Sequence, residues 1–529
     1  MPPSSTLSLP AARRRGPAGS HGVLFAVYAP FGGDPVLSRW PRSSQAPIHQ
    51  QALVQALKET AAQGVNVAAL IDLHDDDSWL VEIPAGRPER MTVHSVWKQD
   101  MARPQALSGF LRRAHARFPC GALVLALEGH GAGFVPEIDP LRLTPESITG
   151  WQAGGQAGEV RWVQSADGTG YEPEAGSPAL PMFSPVLPMF SPVLPAAGMP
   201  MSTWALAAAL RAARARGVPR PAVLHFNNCF NMSLELLHTV APHATVATGY
   251  GNYNFFTAGA AYPRVFQRLR MAGGASAEEL GRWFALENAA LLRAKGNHPT
   301  LGASLRLSRV RSVTAALDRL ARAMTAAMQA AAGARGRIRQ AIVAAQQFDS
   351  DADQHLETPD QVTDLGSLAV QLQAVFGTGD PIGAAAAGVE SALKGVWQYG
   401  DFERPWTDES QVWDFRARYL GVGIFLPDPA LQGRWDWRSP YYLAGIADPT
   451  LPPAHRAQIP FLSDLGGRRP DWVAFLVEYH RGTAFKGFLP PRAPVFPVFN
   501  ARFKPEFPPP TDNDPAPAPP KPPRRRGGR

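Results

Sequence analysis

The segment Ala222-Val-Leu-His-Phe-Asn-Asn-Cys229 is a short apolar run that ends in a cysteine, and an amphipathic segment follows it. Earlier in the chain, Ala122-Leu-Val-Leu-Ala-Leu-Glu-Gly-His130 is a similar run that ends in a histidine. Short apolar runs closed by small or polar residues are typical of strands buried on both faces, as in parallel sheets. Parallel neighbours leave a sheet at the same carboxyl edge, where open α/β sheets place their sites. The two runs therefore predict that His130 and Cys229 meet at that edge.

The pattern along the rest of the chain predicts an α/β fold. A strand over Val23–Tyr28, a helix over 49–63 and a strand over Val65–Asp72 form a βαβ beginning. Residues 79–83 and 92–97 alternate apolar and polar side chains, which predicts an antiparallel hairpin. Helices are predicted over 104–118, 203–216, 231–240, 258–270, 277–292 and within 312–346 and 361–396, and strands over 244–248 and 420–426. We therefore expect an open, mostly parallel sheet flanked by helices, with a helix-rich C-terminal region.

The composition of the chain divides it into four predicted parts. Residues 1–20 form a disordered N-terminus, 21–300 the main α/β domain, 301–500 a C-terminal helical region with additional strands, and 501–529 a disordered, Pro-rich basic tail. Residues 134–201 are rich in Gly and Pro and contain Pro-Met-Phe-Ser-Pro-Val-Leu twice in tandem. Because proline removes backbone donors, this segment is predicted to be a long insertion without regular structure.

Charge and cysteine usage limit the class of protein. The 529-residue chain has a formal charge of +8, but residues 1–20 and 504–529 each carry a net +3. Basic ends of this kind favour solvated tails, so we expect no nucleic-acid partner. The N-terminus lacks the apolar core of a secretion signal, and no apolar run reaches the ~18 residues of a membrane helix. Two cysteines form neither a disulfide framework nor a zinc site, so the sequence predicts a soluble protein in the cytoplasm.

The chemistry predicted at the sheet edge is acyl transfer. A cysteine becomes a nucleophile when an imidazole or a helix N-terminus favours its thiolate, and Cys229 is predicted to lie near both. The backbone N–H groups of Gly131 and Cys229 are predicted to hold the developing oxyanion. Two other histidines, His225 and His238, flank Cys229 and are the alternative bases. His225 is predicted to point along its own strand and His238 to lie down a helix, so both are expected to be structural.

Several blocks of the sequence resemble the clostripain-type cysteine peptidases of the caspase-like clan, over Val23 to about His480. The blocks are Arg103 to Leu111, Phe118-Pro119 through His130-Gly131-Ala-Gly133, Phe226-Asn-Asn-Cys-Phe-Asn-Met-Ser-Leu-Glu235, Asp364-Leu365 and Leu420 to Pro427. The resemblance implies that residues 21–300 form a caspase-like peptidase domain. It also implies a Cys–His dyad, with His130 as base and Cys229 as nucleophile, that hydrolyses a protein or peptide substrate. Because the family often matures by cleavage between the histidine and cysteine blocks, the resemblance also implies self-cleavage within 134–201. Separately, we expect the chain to be a monomer.

One departure from the family changes the expected specificity. The family's basic-residue specificity depends on an aspartate two residues before the cysteine, and Asn227 occupies that position. The predicted primary pocket, formed by Asn227, Asn228, Thr248 and Tyr250, contains no acid. An arginine or lysine buried there would lose hydration without compensation. We therefore expect the pocket to disfavour Arg and Lys and to accept an uncharged side chain.

Metal and cofactor expectations are negative. No cofactor is predicted, and the calcium requirement known in the family has no assignable site in this sequence. The cluster Asp72, Asp75, Asp76 and Asp77 offers oxygen ligands but lacks the spacing of a calcium loop. A solvated loop is the prediction for this cluster, and a metal site is the alternative.

Two other function classes remain as rivals to a cysteine peptidase. His130-Gly-Ala-Gly-Phe134 also resembles the oxyanion motif of lipases and esterases, but the chain contains no Gly-x-Ser-x-Gly elbow. The second rival is a catalytically inactive, peptidase-like scaffold that binds partners through its Pro-rich segments. The intact His130 and Cys229 favour the enzyme, whereas Asn227 and Asn228 keep the scaffold open.

Overall fold

The computed structural model describes the parts of the chain that form the sheet and the helices packed on it. The described residues are 22–30, 48, 51–74, 77–97, 101, 104–129, 133–134, 201, 203–252, 254, 257–296, 300–348, 361–401, 421–429, 434–436, 471–482 and 487–489. His130, Gly131, the predicted insertion except for 134 and 201, and both predicted disordered ends lie outside these ranges.

The described strands alternate with helices along most of the chain. The strands are β1 Val23–Pro30, β2 Asn66–His74, β3 Asp77–Ile83, β4 Thr92–Trp97, β5 Ala122–Glu128, β6 Pro221–Asn227, β7 Val246–Tyr250, β8 Thr300–Arg306, β9 Gln347–Phe348, β10 Val362–Asp364, β11 Val396–Asp401, β12 Gly423–Phe425, β13 Arg434–Asp436 and β14 Gly487–Leu489. The helices are α1 Ala52–Ala62, α2 Pro104–Arg117, α3 Thr203–Ala215, α4 Leu234–Val240, α5 Tyr262–Ala272, α6 Ala277–Gly296, α7 Val310–Ala330, α8 Ala334–Ala344, α9 Leu365–Phe376, α10 Pro381–Leu393 and α11 Asp471–Tyr479.

Nine of the described strands form one mixed sheet in the order β11-β8-β7-β6-β5-β1-β2-β3-β4. The five central strands, β7, β6, β5, β1 and β2, are parallel, and each strand outside them pairs antiparallel with its inner neighbour. This arrangement confirms the predicted open, mostly parallel sheet. It also confirms the predicted hairpin, which is formed by β3 and β4.

Both faces of the central strands are covered, which explains why their sequences are almost continuously apolar. Along β1, Leu24 and Ala26 pack into one hydrophobic cluster, whereas Phe25 and Val27 pack into the other, as the two-residue period of a strand requires. Helices α1, α5 and α6 cover the second cluster, and α2, α3, α4 and α7 cover the first. Within the described ranges, no helix combines the length and the apolar character needed to cross a bilayer.

The C-terminal region is continuous with the sheet. The predicted boundary between residues 300 and 301 falls inside β8, and edge strand β11 comes from beyond it. That boundary therefore does not separate two structural units, because strands from both sides of it pair in one sheet. A second sheet of three short strands, β12-β10-β9, lies beside the first. It is joined to the segment after Cys229 by a hydrogen bond from the Gly423 N–H to the Met232 carbonyl, 2.9 Å long.

Candidate active site

The two strands that lead toward His130 and Cys229 are parallel neighbours, as the sequence predicts. β5 and β6 run side by side, and their last paired residues are Glu128 and Asn227. His130 lies two positions after Glu128, and Cys229 lies two positions after Asn227. Both chain segments therefore leave the sheet at the same carboxyl edge. His130 and Gly131 themselves lie outside the described residues, so the distance from the imidazole to the thiol and the predicted oxyanion hole stay predictions.

The Cys229 thiol is buried between the two backbone groups of one residue. The N–H of Asn254 donates to Sγ over 3.3 Å, and the S–H donates to the Asn254 carbonyl oxygen over 3.3 Å. A neutral thiol satisfies both groups because sulfur both donates and accepts weakly. A thiolate keeps the N–H contact but is repelled by the carbonyl oxygen. Ionisation of Cys229 therefore favours displacement of the Asn254 carbonyl.

The helix after Cys229 begins later than predicted. The sequence predicts a helix from residue 231, whereas α4 begins at Leu234 with Ser233 as its N-cap, and the Ser233 hydroxyl accepts from the Leu236 N–H over 3.3 Å. The electrostatic effect of a helix N-terminus falls off within its first turn. A thiol placed before the cap of a helix this short gains little from it. The predicted contribution of the helix N-terminus to the thiolate is therefore not supported.

The backbone beside Cys229 carries local strain. Phe230 has φ 59°, and its N–H donates to the Asn252 carbonyl over 3.0 Å. Ala258, between β7 and α5, has φ 47°. Phe230 and Ala258 are the non-glycine residues with positive φ within the described ranges. Holding a bulky residue in the left-handed region costs of order 1–3 kcal/mol, and residues in such conformations cluster at functional sites. The strain marks the turn after Cys229 as one that the surrounding structure holds in place.

A buried amide in the segment after β7 adds a second energetic cost. Asn252 is fully buried, and neither its side-chain oxygen nor its side-chain nitrogen has a hydrogen-bond partner among the residues that the structure describes. A buried polar group in this state costs about 1–3 kcal/mol. Asn252 lies two residues before Asn254, so this cost falls in the loop that contacts the thiol.

The segment that follows His130 packs against the turn that follows Cys229. A Cβ atom placed on Gly133 would lie 3.2 Å from the Phe230 carbonyl oxygen, and Gly133 has φ +72°. Glycine is therefore favoured at this position by its backbone conformation, and a Cβ atom there would also require the Phe230 carbonyl to shift by a few tenths of an ångström. The chain contacts the Cys229 segment before His130, through Glu128, and after it, through Gly133.

A chain of buried polar side chains lies behind the thiol, and the sequence pattern did not predict it. Asn227 Nδ2 donates to both carboxyl oxygens of Glu128, over 3.0 and 3.1 Å. Asn254 Nδ2 donates to Asn227 Oδ1 over 3.0 Å, and Asn288 Nδ2 donates to Asn254 Oδ1 over 2.7 Å. Thr257 Oγ1 donates to Asn288 Oδ1 over 3.1 Å. The sequence signal was Glu128 itself, a charged residue at the end of a run predicted to be buried on both faces.

Burial dominates the electrostatics of Glu128. Loss of hydration raises the pKa of its carboxyl from 4.5 to about 7, and hydrogen bonds from Tyr262 and Asn227 oppose the shift. The Tyr262 hydroxyl donates to Oε1. Burial, followed by the nearby Glu128 carboxyl, raises the pKa of Tyr262 well above its ordinary value. Near neutral pH the carboxyl is therefore close to its titration midpoint, and the phenol stays protonated.

The four side chains of the predicted primary pocket are buried in the structure. The amide of Asn227 bonds Glu128 and Asn254 as described, and Asn228 Nδ2 donates to the Leu127 carbonyl over 3.3 Å. Thr248 Oγ1 donates to the Gly281 carbonyl over 3.0 Å. The Tyr250 ring is fully buried. Contact of these side chains with a substrate stays a prediction.

A cleft is lined in part by Phe230. Its lining residues come from the segment after His130, the segment after Cys229 and the small C-terminal sheet. They are Gly133, Phe134, Phe230, Ser233, Glu235, Val362 and Phe425. The cleft is mainly apolar, and the Glu235 carboxylate within it accepts a hydrogen bond from the Phe425 N–H over 2.8 Å. None of the four predicted pocket residues lines this cleft.

The two alternative histidines occupy packed, structural positions. His225 is buried with its ring stacked 4.4 Å from that of Phe284, and burial lowers its pKa to about 3. His238 Nδ1 lies 3.0 Å from Thr314 Oγ1 in the buried contact between α4 and α7. A histidine that stays neutral inside an aromatic cluster is a poor general base for a thiol at the sheet edge.

The described residues give no support for a metal site. They contain no group of three or more His, Cys, Asp or Glu side chains arranged to hold an ion. Asp75 and Asp76 of the acidic cluster lie outside the described residues, so the solvated loop and the alternative metal site both stay predictions.

Comparisons with known proteins find likeness at the level of structure. The chain is similar in structure to clostripain-family cysteine proteases. A secreted C11 cysteine protease from Bacteroides thetaiotaomicron, solved with an irreversible peptide inhibitor, matches with a TM-score of 0.47 and 14% identity, covering 77% of this chain and 92% of that one. An inactive zymogen C11 protease from Parabacteroides distasonis matches with a TM-score of 0.42 and 10% identity, covering 77% and 92%. No protein-family model and no curated protein matches the sequence.

Proposed function

We propose that the chain is a cysteine endopeptidase in which Cys229 is the nucleophile and His130 its general base. The observation that carries the proposal is the contact of the two strand ends. Glu128 bonds Asn227 before the two residues, and Gly133 packs on Phe230 after them. The clostripain-like sequence blocks include both residues. The proposal does not need His225 or His238, whose surroundings fit structural roles.

In the proposed reaction the thiol proton passes to His130 and Sγ attacks the scissile carbonyl carbon. The carbonyl electrons move to oxygen, where the N–H groups of Gly131 and Cys229 hold the oxyanion. When the tetrahedral intermediate collapses, the C–N bond breaks and the imidazolium gives its proton to the leaving amine. The product is a thioester between Cys229 and the acyl part of the substrate. Water, deprotonated by His130, then cleaves the thioester and restores the thiol.

The test is covalent labelling by a peptidyl electrophile, read by mass spectrometry of the intact chain and its fragments. We expect one label on Cys229 and loss of labelling in Cys229→Ala and His130→Ala. The chain offers matched controls in Cys120→Ala and His115→Ala, which remove another thiol and another imidazole that contact each other. Both controls are expected to label like the wild type.

Two results would contradict the proposal. Wild-type protein that takes up no label, with no hydrolysis across a diverse peptide library, would favour the inactive scaffold. Label that persists in His130→Ala but disappears in His225→Ala would move the base to another histidine.

We propose further that the primary subsite disfavours Arg and Lys. Asn227 replaces the acid expected there, and the nearby Glu128 carboxyl is fully buried and already accepts from Asn227 and Tyr262. A substrate cation would have to displace these donors to reach it. Profiling with a peptide library is expected to show an uncharged residue at that subsite, and a clear preference for Arg or Lys would overturn this part.

Self-cleavage within residues 134–201 is the proposed route of maturation. It places the cut between the histidine and cysteine blocks. Denaturing gels of the wild type and Cys229→Ala are expected to show two fragments and one intact chain, respectively. An intact, fully active wild-type chain would contradict it.

A further inference from the structure

The polar side chains behind Cys229 form a series of hydrogen bonds that all point the same way. From Thr257 through Asn288, Asn254 and Asn227, each side chain donates to the next, and Glu128 is the last acceptor. Every one of these residues is buried. In a low-dielectric interior such a series is strengthened by mutual polarisation, and each unmade bond is costly.

The direction of the series follows from the carboxylate at its end. An ionised carboxylate can only accept hydrogen bonds, so Asn227 must present its NH₂ group to Glu128. Its oxygen then faces Asn254, which must present NH₂ in turn, and the same requirement passes to Asn288. Reversing any amide would place two NH₂ groups or two oxygens against each other. Glu128 therefore fixes the orientation of three amides, although it contacts only the first.

The third member of the series is the residue that holds the thiol. Asn254 contacts Cys229 Sγ through both its N–H and its carbonyl oxygen, and its side chain bonds Asn227 and Asn288. We propose that Glu128 is a positioning residue for Cys229, because its carboxyl orients Asn227 and, through it, anchors Asn254 against the sulfur. The expected effect on peptide hydrolysis rests on the proposed function, whereas the effect on thiol reactivity does not.

Protonation of Glu128 should loosen this anchor. A protonated carboxyl donates through one oxygen, so Asn227 keeps one acceptor in place of the two that it now has, and the Tyr262 hydroxyl must turn from donor to acceptor. The other titratable groups packed around it are Tyr250 on β7 and His225 on β6. Burial raises the pKa of Tyr250 and lowers the pKa of His225, so both are neutral near pH 7. Among the described groups that face Glu128, its own titration is the one expected near neutrality.

The experiment measures the rate of Cys229 alkylation by iodoacetamide from about pH 5 to about pH 9, a range that spans the ordinary pKa values of carboxyl and thiol groups. Wild type is compared with Glu128→Gln, Tyr262→Phe and Glu82→Gln, with modification read peptide by peptide. Glu82 is the matched control because it is also a buried glutamate, but it bonds Arg113 and lies on β3.

The expected wild-type profile has an inflection near the Glu128 pKa of about 7, in addition to the rise caused by thiol ionisation. Glu128→Gln is expected to lose the inflection. Tyr262→Phe removes a donor that lowers the Glu128 pKa, so the inflection should move upward by about one pH unit, the worth of one hydrogen bond to a charged group. Glu82→Gln should reproduce the wild-type profile.

Superimposable rates for the wild type and Glu128→Gln at every pH would overturn the proposal, as would the same change in Glu82→Gln. If Glu128→Gln does not fold, Tyr262→Phe decides, since it retains the carboxyl and an unmoved inflection would contradict the inference. Hydrolysis measured in parallel should show a lower kcat and little change in KM in Glu128→Gln. A wild type that hydrolyses nothing while its alkylation profile still depends on Glu128 would refute the proposed function and support the positioning role.

Discussion

Strand β5 begins beside one cysteine of the chain and ends beside the strand that leads to the other. At its start, Cys120 Sγ lies 3.6 Å from His115 Nδ1. At its end, the neighbouring strand leads to Cys229, whose sulfur lies between the N–H and the carbonyl of Asn254. Both cysteines expose 4% of their surface, so burial does not distinguish them.

The difference lies in what surrounds each thiol. Burial raises the pKa of Cys120 to about 11, although a histidine is in contact with it and a backbone hydrogen bond from Leu24 opposes the shift. The surroundings of Cys229 instead contain a strained residue, an amide that has no partner within the described part of the chain, and a cleft. A neighbouring imidazole is therefore not enough to make a thiol nucleophilic. Energetic costs collected at one sheet edge are the better sign of a site.

The largest expected effect separates the two cysteines by activity. Cys229→Ala should lower kcat for peptide hydrolysis by at least about 10⁴-fold, because removing a nucleophile removes the covalent route. Cys120→Ala should change kcat less than about twofold, since the proposed chemistry does not use that thiol. Steady-state kinetics on one peptide substrate measures both. Equal losses of kcat in the two variants would show that the substitutions act through folding and not through catalysis.

The second prediction concerns stability at the carboxyl end of β5. Folding raises the Glu128 pKa from 4.5 to about 7. The protonated carboxyl therefore stabilises the folded state fully below the ordinary pKa of 4.5, and this stabilisation is lost as the pH rises through about 7. The shift corresponds to about 3 kcal/mol of unfolding free energy. Glu128→Gln, which cannot ionise, should therefore gain stability relative to wild type by up to this amount between about pH 4.5 and about pH 8.

Urea denaturation at the two pH values measures this gain, with Glu82→Gln as control. Glu82 bonds Arg113 and Arg117, so its replacement should remove stability and not restore it at the higher pH. A difference between Glu128→Gln and wild type that does not change with pH would contradict the assigned titration.

The third prediction concerns the thiol at the start of β5. A pKa raised from 9.0 to about 11 leaves about a hundredfold less thiolate near pH 8, since each pKa unit is a factor of ten. Cys120 should therefore alkylate about a hundredfold more slowly than a thiol of equal access, and its rate should still be rising above pH 9. Rates measured on the Cys120 peptide check this. A rate that levels off below pH 9 would contradict it.

The smallest expected effect concerns backbone conformation at Phe230, compared with that at the start of β5. Phe230 has positive φ, so Phe230→Gly should be more stable than Phe230→Ala by about 1 kcal/mol. At Ala122, the first residue of β5, the sign should reverse, and Ala122→Gly should lose roughly 0.5–1 kcal/mol. Thermal or urea unfolding of the variants measures both differences. A Phe230→Gly variant no more stable than Phe230→Ala would show that the backbone at Phe230 is not strained.

The sequence was sufficient for features that depend on local pattern. The apolar runs at 122 and 222 predicted two strands, and their burial on both faces predicted parallel neighbours. The apolar run did not single out Glu128, because one charged residue does not break an apolar pattern. Asn254 and Asn288 could not be found at all, since their role depends on contacts between a loop, a helix and two strands. The pairing of β11 with β8, from far along the chain, could not be predicted for a related reason.

The pairing of β5 with β6 has a consequence for how the protein can be built. Each strand is also held by a second partner, β1 for β5 and β7 for β6, within its own part of the chain. The candidate site lies at the seam between these two parts, which residues 135–200 connect in the sequence. A gene divided at that point would encode two polypeptides whose central strands still complement each other. Reconstitution of the site by co-expression of such halves is the expected result.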